Sequence, residues 1–82
     1  MALPGTADRL VLEPISDGYY SVIAVVRADG SEGWRVHPPE GPEDAWVDAR
    51  IEEDTVVATA FSGWLVRLHP ESGRELGRVF TK

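Results

Sequence analysis

The chain has 82 residues, no cysteine, and a net charge of −6 from 14 acidic against 8 basic residues. That length allows one domain, residues 1–82, with a modest core and neither a disulfide nor a thiolate metal site to reinforce it. The bases are seven arginines and Lys82 with no basic run, so the composition argues against nucleic acid and against an anionic membrane surface.

The first eight residues carry neither a basic stretch nor an apolar run, so a cytoplasmic protein is expected. Leu10, Val11 and Leu12 open a first strand at about 9–15, followed by turn residues Asp17 and Gly18. Tyr19, Tyr20, Val22, Ile23, Val25 and Val26 are aromatic or β-branched and predict a strand over 19–27, ended by Asp29 and Gly30. In 33–37, Trp34 and Val36 alternate with Arg35 and His37, and Pro38 stops the strand. Residues 38–44 form the one linker-like segment. Further strands are expected at 45–52, 55–62, 64–69 and 75–81. A helix over 44–53 competes with the fourth, but Ala45, Val47 and Ile51 make a poor helical stripe. The reading is an all-β antiparallel meander of about seven strands, with a small closed β-barrel as the alternative.

The chain also repeats itself. Arg35-Val36-His37-Pro38 returns 32 residues later as Arg67-Leu68-His69-Pro70, and Val22–Val26 matches Thr55–Thr59 at an offset of 33. Val11 and Ile15 match Val47 and Ile51 at an offset of 36. Two units follow, about 9–41 and 45–82. Self-similarity at this period points to a repeat architecture.

Residues 54–80 carry an apolar strand to Ser62-Gly63, a strand ending at Leu68-His69, the turn Pro70-Glu71-Ser72-Gly73, and an outer strand through Val79-Phe80. This run resembles a β-propeller blade of the quinoprotein (PQQ-like) type. His69 stands where such blades usually have Asp, Ser72 stands for Thr, and Val79-Phe80 replace a Trp. The first unit matches through Asp29-Gly30 and His37-Pro38-Pro39-Glu40-Gly41. The matching motifs are turn chemistry, so they imply a scaffold, and no quinone, calcium or catalytic acid is carried over. Propellers need about four to eight blades to close. Two blade-like units would therefore pair between chains or curl into a barrel.

Candidate binding residues follow from the repeat and the aromatics. His37 and His69 occupy equivalent positions, each with an arginine, Arg35 or Arg67, two residues upstream. Such a face suits an anion or carboxylate; the plainer reading pairs the arginines with Asp48, Glu52, Glu53 or Glu75 and makes each histidine a turn residue. Two histidines without a spaced third ligand fall short of a zinc set, and no metal or cofactor is expected. Trp34 and Trp64 each begin an alternating strand and are expected in the core. Trp46, just after the linker, is the least committed to a core and with Tyr19 makes a candidate ligand-stacking surface. The acid pair Glu43-Asp44 reads as a solvated turn. With no catalytic grouping in view, the expectation is a non-enzymatic binding or assembly module, a homo-oligomer or the partner of another protein. A small lectin-like ligand-binding protein and an acidic inhibitor or immunity-type protein are the alternatives.

Overall fold

A computed structural model describes residue 3 and residues 7–81, and every regular element in it is a strand. They are β1 (Arg9–Ser16), β2 (Tyr19–Val26), β3 (Glu32–Val36), β4 (Trp46–Glu52), β5 (Thr55–Ala60), β6 (Trp64–Leu68) and β7 (Glu75–Phe80). Each expected strand is present, with ends shifted by at most two residues. The segment where a helix competed is β4, because Ala49 and Ile51 alternate against Asp48 and Arg50 with the period of a pleat.

All pairings are antiparallel and lie in one sheet, in the order β1-β2-β4-β5-β6-β7, with β3 also on β2. The far edge of β2 is divided. Ile23 to Val26 pair with β3, while Tyr20 pairs with Trp46 at the start of β4. The closed-barrel alternative is therefore wrong. Closure needs the first and last strands to bond to each other, whereas β1 pairs only with β2 and β7 only with β6. With β3 and β4 sharing one edge of β2, the sheet folds over on itself and stays open.

Side-chain parity sets what the fold buries. Leu10, Ile23, Val25 and Trp34 from the first three strands join Ala49, Val56, Ala58, Val66 and Leu68 from β4, β5 and β6 in one buried cluster. Registers show why they share a face: Leu10 lies opposite Val25, Val25 opposite Trp34, Ala49 opposite Ala58, and Ala58 opposite Val66. Hairpins β2–β3 and β5–β6 have the same register, Ile23 on Val36 against Val56 on Leu68, and Ala24 on Arg35 against Val57 on Arg67. The first strands correspond differently from the sequence match. Leu10 on Val25 and Ala49 on Ala58 relate β1 to β4 at an offset of 39 rather than 36. The identity of Val11 with Val47 misleads because an odd shift exchanges the two faces of a strand.

The turn between β6 and β7 is held under the first unit. Trp34 is 8% exposed and its Nε1 donates to the Pro70 carbonyl at 2.8 Å. Gly73, at φ +73°, lies so close that a Cβ there would sit 2.6 Å from the Trp34 ring. Arg27 spans the same junction, donating to the Glu71 carbonyl at 2.9 Å and pairing with Asp8 at 2.9 Å.

Candidate functional site

Residues 38–44, read from the sequence as a linker, are instead part of a packed connection, residues 37–45, that walls a concavity. Gly41 N–H donates to the Pro38 carbonyl and Asp44 N–H to the Gly41 carbonyl, coiling the segment, and Phe61 N–H donates to the Ala45 carbonyl at its end. Pro38 and Asp44 are buried. Asp44 corrects the solvated-turn reading: it is 7% exposed, and its carboxylate accepts four hydrogen bonds. The donors are Ser62 Oγ at 2.7 Å, Ala45 N at 2.8 Å, Ser62 N at 3.1 Å and Glu40 N at 3.3 Å. Burial pushes this carboxyl up, but the bonds from Ser62, Ala45 and Glu40 outweigh it and hold the group below the usual carboxylate range. Asp44 thus stays ionised and ties the connection to the turn between β5 and β6.

The cleft so formed has two adjoining lobes. The more enclosed lobe, largely apolar and of about 330 Å³, lies among Ile15, Ser21, His37, Pro38, Gly41, Pro42 and Asp44. A more open lobe of similar size shares Ile15, Pro42 and Asp44 with it and adds Tyr19, Glu43 and Phe61. Tyr19 and Phe61 meet edge to face with ring centres 5.7 Å apart. Ile15 is 58% and Phe61 53% exposed, so the rim of the cleft is apolar and open to solvent. Ser21, His37 and Asp44 share the enclosed lobe without forming a relay. Ser21 Oγ donates to the Glu13 carbonyl at 3.3 Å, and the Asp44 oxygens face Ser62 and backbone N–H groups.

The structure separates the residues that the sequence had grouped. Tyr19 and His37 line the cleft. Trp46 does not: at 1% exposure it is sealed in the core, with Nε1 donating to the Val36 carbonyl at 3.1 Å, and it offers no face to a ligand. Its position opposite Tyr20 in the divided edge of β2 explains the burial. His69 is a turn residue, its Nδ1 accepting from Glu71 N at 3.2 Å and its carbonyl from Gly73 N at 2.8 Å. Arg35 and Arg67 lie on the outer face, away from the core. Arg35 pairs with Glu13 at 2.9 Å and Glu32 at 2.6 Å, partners the sequence had not suggested. Arg67 lies across from Val57, with Arg50 on the other side. Val57 is fully buried although it faces outward, so the stems of these arginines act as its roof. Arg50 holds Asp48 and Glu52, and the charge of Arg67 adds to the pull that keeps Glu52 ionised.

Ile15, Phe61, Pro38, Pro42 and Asp44 were missed as site residues. The signal was present for Phe61, an aromatic placed directly before the turn residues Ser62-Gly63, where a strand is about to leave the core. β7 also exposes apolar side chains, Leu76, Val79 and Phe80 being 47%, 59% and 53% exposed, with Val79 on the outer face opposite Leu65 and Phe80 on the other face opposite Trp64. Phe80 meets Trp64 edge to face at 5.2 Å, Arg78 lies 5.2 Å over the same Trp64 ring, and Glu40 accepts from Trp64 Nε1 at 2.7 Å.

Among the described residues no group of three or more His, Cys, Asp or Glu side chains is placed to hold a metal ion. Nor do the described residues include a helix long and apolar enough to cross a membrane. The fold and cleft define an open, all-β antiparallel sheet protein with a two-lobed apolar cleft. No family model, curated protein or solved structure matches the chain.

Proposed function

We propose that the chain is a non-enzymatic assembly module that pairs with a second copy of itself along β7. The observation that carries this reading is the unguarded edge. An edge strand presents unpaired N–H and C=O groups, and proteins usually blunt such edges with proline, lysine or bulges. The opposite edge is blunted in this way: β1 contains Pro14 and two register irregularities around it. β7 has neither proline nor lysine and exposes Leu76, Val79 and Phe80. Its one irregularity lies at the Leu68 end, leaving Gly77 to Phe80 regular.

The strand is also complementary to itself. Thr81 N–H donates inward to the Gly63 carbonyl, so by alternation the backbone groups of Phe80 and Arg78 point outward. A two-fold pairing centred on Val79 sets Arg78 opposite Phe80 of the copy, and Val79 against Val79. It repeats between chains the cation-over-ring contact that Arg78 already makes with Trp64. Centring on Arg78 would oppose like charges, which is unfavourable.

Light scattering behind size exclusion over a wide dilution range tests the proposal. The expected result is twice the chain mass at high concentration, with Val79→Lys monomeric throughout. A wild-type chain that stays monomeric at every concentration refutes it.

A further inference from the structure

We infer that the two-lobed cleft is a binding site for an extended peptide segment that carries a large apolar side chain two positions from a lysine or arginine. The site is remote in function from β7 and does not depend on self-association.

The two lobes differ in chemistry in a way that selects this ligand. The enclosed lobe, walled by Ile15, Pro38 and Pro42, is apolar and suits a leucine- or methionine-sized group. The open lobe is lined by the Tyr19–Phe61 ring pair and by Glu43. A cation placed there meets both an aromatic face and an opposite charge. Asp44, common to both lobes, is held ionised by its hydrogen bonds and adds fixed negative charge. Among the described residues no lysine or arginine lines either lobe, and His37 is the one base that does.

Geometry points to an extended chain. The lobes abut along Ile15, Pro42 and Asp44, so their occupants must be near neighbours on one side of the ligand. In an extended strand, side chains at i and i+2 project to the same side about 6.5–7 Å apart. Tyr19 and Phe61 supply rigid contact area at low entropic cost, as aromatic anchors do at peptide-binding surfaces.

Selection from a random-peptide phage library against the full chain tests the inference, followed by titration of the recovered peptides into the wild type and three variants. The expected consensus is an apolar residue with a basic residue two positions away. Ile15→Asp should weaken those peptides by more than about tenfold and Glu43→Lys by about fivefold, the latter corresponding to loss of one exposed ion pair. Unchanged thermal unfolding of both variants would show that the fold is intact. Val79→Lys should bind as the wild type does, which separates this site from the β7 edge. No enrichment, a consensus lacking the basic residue, or binding that survives Ile15→Asp would each overturn the assignment.

Discussion

Asp44→Asn and Asp44→Ala probe how much the buried carboxylate contributes to holding the connection 37–45 in place. In the wild type one carboxylate oxygen accepts from Ala45 N and Ser62 N, and the other from Ser62 Oγ and Glu40 N. Alanine removes all four bonds and leaves the part-buried donors without their acceptor. Single charge-assisted bonds are worth about 1.5–3 kcal/mol, and as they share one group the total is taken as about 3–5 kcal/mol. For a chain of this length the whole stability is about 4–12 kcal/mol, so Asp44→Ala should remove a large share of it. Asparagine keeps one oxygen, and its amide can still donate to the Ser62 hydroxyl. It loses the Glu40 bond and the charge, at a cost of about 1–2 kcal/mol. Urea unfolding followed by tryptophan fluorescence gives the difference, since buried Trp46 becomes exposed on unfolding.

The pH dependence supplies the sharper test. The folded-state pKa of Asp44 lies below its unfolded value. Its contribution is therefore complete above about pH 4 and is lost as pH falls through the folded-state value. Asp29, Glu52 and Glu75 are also held ionised, but they titrate alike in wild type and variant and cancel in the comparison. The gap between wild type and Asp44→Asn should thus narrow on acidification. A gap under about 0.5 kcal/mol at neutral pH, or one that widens in acid, would refute the reasoning.

Two further substitutions test the turns. Gly73→Ala combines a positive φ with a Cβ 2.6 Å from the Trp34 ring, and should destabilise by about 2–4 kcal/mol. Gly41→Ala, at φ +93° with open space around it, should cost only the backbone part, about 1 kcal/mol; equal losses from the two would show that contact with Trp34 is unimportant. Glu53 and Asp54 both have positive φ, at 49° and 62°, the signature of a tight hairpin turn that prefers glycine. Asp54→Gly should therefore raise stability by up to about 1 kcal/mol, a melting shift of about 4–8 °C in a domain this small. No rise on thermal unfolding would count against that account.

Much of the fold was legible in the chain because strand signals are local. The β-branched run Val22–Val26, the alternation of Trp34 and Val36 with Arg35, and Ser62-Gly63 each report on a few neighbours, and the strands appear where these signals lie. The shared register of β2–β3 and β5–β6 was legible for the same reason, since both hairpins carry matching apolar faces. The correspondence of β1 with β4 was not, because Val11 and Val47 are alike in kind but a three-residue difference in offset exchanges their faces. The candidate site was half legible. Tyr19 and His37 do line the cleft, whereas Trp46, which has the same exposed-looking surroundings in sequence, is buried by a pairing with Tyr20 across 26 residues.

The sequence by itself determined seven antiparallel strands and their ends to within two residues, because pleat period and turn chemistry act over a few residues. Tertiary structure alone decided that β3 and β4 share one edge of β2, so the sheet folds over and remains open. It also decided that Asp44 turns inward to Ser62 and that Ile15, Tyr19 and Phe61 converge on one cleft. Each of these depends on groups far apart in the chain, whose meeting is governed by the burial of one sheet face and by the need to satisfy every buried polar atom.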